Sequence, residues 1–329
     1  MEVDLSVMRT TFGLLLRFIC LLTVTAVGIF ILLSYSPIDP IKAYIGNDLM
    51  HVPPEQYPLI AARWGLDQPL WMQFWRWFSQ MLQGDLGYSM LYNTPVLQVI
   101  SDRIVPSLAL LGSAWVFSGV VGFGLGLVAG RYLNRWPDKL ISTFCYLLAS
   151  IPVFWVGLLL LSLFAVTLKW APICCAWPIG LDEQTATFSQ KIHHLILPVI
   201  ALGMLGVGTI ALHTRSKVVE VMNSEFIHYA QAQGDKGWSM MRFHVLKHAI
   251  TPAICLQFAS VGELFSGALL AEKVFAYPGL GQATIDAGLR GDVPLLMGIV
   301  MLCAVLIFIS NTLADLLLKR VNKGVIRES

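Results

Sequence analysis

Glu263 is the one ionisable residue near the middle of a long apolar run, 250–270. A carboxylate in such a run is expensive to bury, so it must face other helices or water. It either hydrogen-bonds a neighbouring helix or lines a route for a polar solute. His244 and His248 are four residues apart and would share a helix face, as paired metal ligands do. No third ligand lies near them and the segment is basic, so a solvated helix face is the simpler reading. Cys174 and Cys175 are adjacent. Neighbouring thiols chelate one metal poorly, so a free pair is expected, with redox or metal handling as the sharper alternative. Gly124, Gly126 and Ala129 nearly match a dinucleotide fingerprint, but that fingerprint needs a preceding strand and this one lies inside an uncharged run. Asp315 precedes Lys319 by four residues, the spacing of an ordinary helical ion pair. No G-x-x-x-x-G-K-[ST], H-E-x-x-H or G-x-S-x-G motif occurs, so no P-loop ATP site is expected here.

The elements that must position these residues are membrane helices. The chain has 329 residues, 56% hydrophobic and only 13% charged. Soluble proteins carry roughly 25% charged residues. Mean hydropathy is +0.69. Disorder, collagen-like repeats and a small disulfide scaffold are excluded, and an all-α polytopic membrane protein remains. Six apolar runs are long enough to cross a bilayer: 18–35, 104–130, 140–168, 195–212, 250–270 and 293–318. Arg9 and Arg17 precede the first run, but no small-x-small cleavage site follows it, so it reads as a retained helix. Of the 22 Lys and Arg, 14 fall on the side of the two termini. The bias places both termini in the cytoplasm. The small net charge of +2 therefore conceals a basic inner face and an acidic outer one.

Several positions shape these spans. Gly122, Gly126 and Gly130 form a small-residue stripe with Ser118, a surface for close helix approach. Pro152 in the third span and Pro198 opening the fourth each remove a backbone donor and can bend a helix, either for local packing or beside a pathway. Two connections are long. Residues 36–103 face outward and include the aromatic stretch 70–78, which suits the membrane interface. Residues 213–249 face inward and are polar, with a helical pattern. No internal repeat relates the two halves.

The inward connection reads Ser224-Glu225-Phe226-Ile227-His228-Tyr229-Ala230-Gln231-Ala232-Gln233-Gly234, with Pro252 beyond it. This resembles the EAA-type loop of bacterial ABC importer permeases in the dipeptide/oligopeptide/nickel subfamily. Further matching segments follow in order. Pro37-Ile38-Asp39-Pro40, Arg63-Trp64-Gly65-Leu66-Asp67-Gln68-Pro69-Leu70 and Gly84-Asp85-Leu86-Gly87-Tyr88-Ser89 lie in the outward connection. Ser150-Ile151-Pro152-Val153-Phe154-Trp155 and His194-Leu195-Ile196-Leu197-Pro198 lie in the third and fourth spans. Glu272-Lys273-Val274-Phe275, Tyr277-Pro278-Gly279-Leu280-Gly281, Asp292-Val293-Pro294, Asn311 and Asp315 complete the pattern. The chain departs from the family at Gln231 and Gln233, where basic residues are usual, at His248, where Asn is common, and in lacking a C-terminal Asp-Pro-Arg.

The resemblance implies a type I permease of about six spans and a transport subunit rather than an enzyme. It implies that Tyr229, Ala230, Ala232, Gly234 and Asp235 form a coupling helix seated in a separate ATPase. Ala230 and Ala232 are small enough for a face lying in a groove, and Gly234 can end one helix and start another. The implied partners are a second homologous permease, two ATPase subunits holding ATP and Mg²⁺, and an extracytoplasmic solute-binding protein. The setting is the bacterial inner membrane, and nucleic acid is not expected. This chain itself is expected to bind no cofactor and no metal. Short peptides, nickel or a metal–chelator complex are the cargo classes, with Pro152 and Glu263 as candidate pathway residues. The chain divides into 1–103 (first helix and outer segment), 104–318 (five-helix core) and 319–329 (cytoplasmic tail). The alternative is a stand-alone secondary transporter or channel; an intramembrane enzyme lacks any paired nucleophile and base.

Overall fold

A computed structural model describes residues 2–35, 53, 56–64, 67–235 and 237–328. The Pro37–Pro40 motif, Gly65, Leu66, Lys42 and Lys236 lie outside the described residues. The chain forms two compact units, Met1–Val105 with Gln282–Phe308, and Pro106–Gly281 with Ile309–Ser329.

The first unit contains α1 (Glu2–Ser34), α2 (Tyr57–Trp64), α3 (Leu70–Leu82) and a short antiparallel hairpin, β1 (Tyr88–Ser89) with β2 (Thr94–Pro95). The aromatic stretch is the amphipathic helix α3. Its inner face, Phe74, Trp77, Phe78 and Met81, packs on Ala26 and Phe30 of α1 and on Met297 and Met301 of α13 (Val293–Glu328). Trp71 and Trp75, one turn apart on the opposite face, stay exposed. The hairpin is tied to the chain far downstream. Asp292 accepts from Ser89 Oγ at 2.6 Å and from the Leu91 N–H at 2.9 Å, and both Ser89 and Asp292 are buried. Two separate sequence motifs thus meet as one structural lock. Ionised acceptors make such bonds stronger than neutral ones.

The second unit holds most of α4 (Val96–Arg131), then α5 (Trp136–Ser150), α6 (Val153–Leu160), α7 (Phe188–Met222), α8 (Glu225–Ala232), α9 (Gly237–Met240), α10 (Leu246–Ala259) and α11 (Val261–Val274). Helix α12 (Leu280–Arg290) links α11 to α13. A π-helical stretch, Leu161–Thr167, extends α6, and another, Met241–Val245, joins α9 to α10. The unit's core gathers Leu110, Ala114, Leu202, Leu264, Phe275 and Tyr277.

Four helices among the described residues are long and apolar enough to cross a membrane, and six spans result if each of two bent pairs counts as one. The expected third span is broken by 106° between Trp136–Ser150 and Val153–Thr167. Ile151 is extended, with φ −101° and ψ 127°, because a residue before proline is pushed out of the helical region. Pro152 then starts the next helix as its N-cap. The fifth is bent by 51° at the junction of α10 and α11. Pro198 does not open the fourth span: α7 starts at Phe188 and carries Pro198 buried in its interior. Its true start is a capping box, with Thr187 accepting from the Gln190 N–H while Gln190 Oε1 accepts from the Thr187 N–H.

The glycine stripe finds its partner in α7. A Cβ on Gly122 would lie 2.9 Å from Ile210 Cβ, one on Gly126 2.5 Å from Thr214 Cβ, and one on Gly130 2.6 Å from Val218 Cβ. Equal spacing on both helices makes these three one continuous seam. Gly124 lies within the same helix and its missing Cβ would meet nothing, so the fingerprint-like run is packing and forms no phosphate loop. Asp315 and Lys319 are both exposed, and among the described residues no ion pair joins them. Solvated pairs of that kind offset little of the side-chain entropy they fix. Cys174 and Cys175 are not a free pair: a disulfide joins them.

Candidate functional site

Helix α8 is short and two-faced. Ile227 is fully buried and Ala230 nearly so, whereas Phe226 is 44% and Tyr229 67% exposed. The buried face packs on Val218 and Val221 of α7, Met240 of α9, Met241 and Val245 of the π-stretch, and Ala249 of α10. Ala230 and Ala232 therefore do not share a face. Two residues along a helix turn by about 200°, which leaves Ala232 exposed and puts Ala230 under the helix.

The end of α8 is a complete Schellman motif. The Asp235 N–H donates to Ala230 O at 3.1 Å and the Gly234 N–H to Gln231 O at 3.1 Å. Gly234 has φ +103°, a conformation side chains disfavour, and no atom would obstruct a Cβ there. Its requirement is conformational, not spatial. Beyond the turn, Asp235 Oδ2 lies 2.9 Å from His244 Nε2. His248 packs against Phe226, with ring centroids 5.1 Å apart and the planes tilted by 47°. The two histidines thus brace the segment, and no cluster of three metal-ligating side chains occurs among the described residues.

The ground beneath α8 is also pinned. Arg131, ending α4, stacks over the rings of Tyr132 and Trp238 at 5.5 and 5.4 Å. Asp138 of α5, buried, accepts from Arg215 Nε at 2.5 Å and Nη2 at 2.8 Å, from the Asn134 N–H at 2.8 Å and from Ser142 Oγ at 3.1 Å. Such a bidentate, multiply bonded carboxylate is a rigid joint between the 132–135 turn and α7. In sequence the two partners are 77 residues apart, so no local spacing signals the pair.

Two further clasps hold α4 to the helices after α8. Trp115 Nε1 donates to Gln257 O at 2.8 Å, and Gln257 Nε2 returns a bond to Trp115 O at 2.5 Å and reaches Ser118 Oγ at 3.2 Å. The Gln257 amide lies over Gly119, where a Cβ would come within 3.2 Å of it. Gln257 also borders an apolar groove of about 380 Å³ lined by Val116, Val120, Ile250 and Ile254. The second clasp centres on buried Glu272, which accepts from Ser107 Oγ at 2.6 Å, while Ser107 Oγ accepts from the Leu280 N–H at 2.7 Å. Gly279 and Gly281 leave room for that carboxylate. Burial and then the Glu272 charge push the neighbouring Tyr277 phenol far above its ordinary range.

Glu263 sits in the first turn of α11 and is exposed, with no hydrogen-bond partner among the described residues. Pro152 is exposed at the α5–α6 break. Among the described residues no hydrogen bond or ion pair joins Glu263 to the Pro152 break. Trp115 and Ser107 carry no signal in the sequence that singles them out, and Gln257 carries just its polarity inside an apolar run, while Glu272 and Ser118 stand there only as part of a family motif and of a small-residue stripe.

The chain matches the family model described as binding-protein-dependent transport system inner membrane component over residues 122–327. The model for the N-terminal part of such components matches residues 6–111. It is 32% identical over 312 residues to the glutathione transport system permease protein GsiC of Salmonella paratyphi A, covering 94% of this chain and 96% of that protein. The GsiC of Escherichia coli K12 is 31% identical with the same coverage, 94% and 96%. In three dimensions the chain resembles one from the MetNI methionine ABC transporter in inward-facing conformations. There the TM-score is 0.55 at 16% identity, with 68% of this chain and 97% of that one covered.

Proposed function

The chain belongs to the binding-protein-dependent transport system inner membrane component family, a permease subunit of an ABC importer; on that premise we propose that α8 is its coupling helix and that short peptides are its cargo. The observation that carries the first part is the split of α8 into a buried face, Ile227 and Ala230, and an exposed aromatic face, Phe226 and Tyr229. A lever must be held by its own subunit and offer a separate surface to the motor. Exposed aromatics are the residues that most often dominate such contacts.

Two ATPase subunits, binding ATP and Mg²⁺, dock on this face and on its counterpart in a second homologous permease. Their closure displaces α8 as a rigid piece, since the Schellman turn and the Asp235–His244 bridge fix where it ends. The displacement passes through Ile227 into Met240, Met241 and Val245 and so into α10. The Gln257 clasp delivers it to α4, and the Glu272–Ser107 clasp sets the far end of α11 against the same helix. Reversal between two packed arrangements is how such levers switch access. Both termini lie in the cytoplasm, as the basic bias of their side requires. A solute-binding protein delivers cargo to the outward segment before α4.

The cargo assignment rests on the named activity of the relatives, since glutathione is a tripeptide. Glu263, exposed on α11, supplies a carboxylate for a peptide's ammonium group as it passes. The test of coupling is co-purification of the ATPases with a Tyr229→Ala chain. Loss of an aromatic anchor of about 2 kcal/mol lowers affinity roughly thirtyfold; unchanged association contradicts the assignment.

A further inference from the structure

Residues 168–187 connect the π-helical extension of α6 to α7, and their backbone is held at one point by an uncommon device. Cys174 and Cys175, consecutive in sequence and half-buried, are joined by a disulfide. Cys175 has φ +76°, in the left-handed region that residues other than glycine seldom adopt. The Cys175 N–H donates to Phe275 O at 3.0 Å. His194 Nδ1 of α7 lies 3.0 Å from Cys174 O and 3.3 Å from Cys175 O. Both partners are carbonyl acceptors, so Nδ1 carries the proton and donates to both. The peptide groups of the pair are thereby tied to α7 on one side and, on the other, to the residue that caps α11. Phe275 is itself buried, three residues after Glu272 and its bond to Ser107. Ala176, next in the chain, is buried in the same cluster as Phe275 and Tyr277.

We propose that Cys174–Cys175 is a thiol–disulfide exchange site, open to low-molecular-weight thiols and dithiols, whose redox state sets how firmly the 168–187 connection is held to Phe275 and His194. The chemistry balances without a metal. An external thiolate attacks one cysteine sulfur, the Cys174–Cys175 bond breaks, and a mixed disulfide forms while the other cysteine leaves as thiolate and takes a proton. A second external thiolate attacks the mixed disulfide, releasing the remaining cysteine as a thiol and the external pair as a disulfide. Two protons and two electrons move from the external thiols to the cysteines. Opening the ring removes the covalent restraint on Cys175, so its backbone leaves the left-handed region and the bond to Phe275 O is lost. In the orientation proposed above this connection faces outward, where disulfides persist. The remaining thiols do not compete: Cys145, Cys255 and Cys303 are buried, and Cys20, though exposed, lies within the apolar span of α1, where a membrane-impermeant reagent does not reach.

The test uses the assembled importer in right-side-out vesicles, a membrane-impermeant maleimide, and peptide-mapped mass spectrometry. Cys174 and Cys175 are expected to carry no adduct before dithiothreitol and one adduct each after it. Adducts on both before reduction overturn the disulfide. Adducts after reduction that form only in inverted vesicles overturn the outward placement, leaving the coupling role of α8 untouched. Hydrogen exchange then reads the clamp. In the reduced importer, and in a Cys174→Ala/Cys175→Ala chain, the amide of residue 175 is expected to exchange about five- to tenfold faster, the loss of one hydrogen bond. Equal exchange in oxidised and reduced states overturns the clamp.

Discussion

At Gly234 a single missing Cβ decides how the coupling segment ends. Nothing lies near the position a side chain would take, but φ is +103°. Gly234→Val therefore strains the backbone by about 1–2 kcal/mol and frays the Schellman turn. Uptake is expected to fall at least severalfold while the folded chain still reaches the membrane, as transport assays beside membrane quantification would read. Glu263→Gln keeps size and removes charge. With a peptide ammonium as the group it meets, KM for uptake should rise with little change in assembly, and an unaltered KM argues against a pathway role. The residue scale is also where the sequence was least complete. Charges inside apolar runs draw attention, and Glu263 was found that way. Gln257 carries no charge, yet its amide is as demanding of partners as any buried polar group. Glu272 was noticed only as part of a motif, because its partner Ser107 is 165 residues away.

Among the elements, the seam between α4 and α7 has the least tolerance. Gly126 faces the Cβ of Thr214 with no space for another carbon. Gly126→Leu should overpack this contact by about 1–3 kcal/mol or more and lower the thermal midpoint of the detergent-purified importer. Pairing Gly126→Ala with Thr214→Gly should recover part of the loss of Gly126→Ala alone, because the second change removes the Thr214 carbons at 2.5 and 2.9 Å and leaves only the Ala211 carbonyl oxygen, 2.6 Å away, in the way. Loss in the double variant equal to the sum of the singles contradicts the seam. The spans themselves were readable because a bilayer demands about 20 apolar residues of helix. Their ends were less so. The apolar run stops at 212, whereas α7 continues to Met222 on a polar surface that hydropathy does not score as a span. Pro152 was legible as a bend, but proline alone does not fix an angle, and Pro198, equally visible, sits in unbroken helix. What differs is the residue before it: Ile151 leaves the helical region, whereas Leu197 stays within α7.

On the scale of the whole molecule, low charge marks the bilayer and the sorting of charge marks its sides. The charge bias assigns the basic residues of the 131–139 turn and of the 213–249 connection to one side of the membrane, the side on which the proposed coupling helix would meet the ATPases. Impermeant labelling of single cysteines placed at Asn134 and at Asp182 should modify the first only from the cytoplasm and the second only from outside. The family was legible because its motifs occur in order across the chain, and pairs such as Ser89 with Asp292 show why some must co-occur. Cargo was not, since among the described residues no cluster of metal-ligating side chains occurs and the charged side chains of the spans are few. The central claim is that α8 couples a separate ATPase to passage through this permease. It is tested most directly by reconstituting the chain with its second permease, ATPases and binding protein in proteoliposomes, then measuring ATP hydrolysis and uptake of a labelled tripeptide together. The account predicts ATP-dependent uptake that collapses in Tyr229→Ala and Gly234→Val chains while their vesicle content stays normal. Uptake that persists at full rate in both variants, or that proceeds without ATPases, contradicts it.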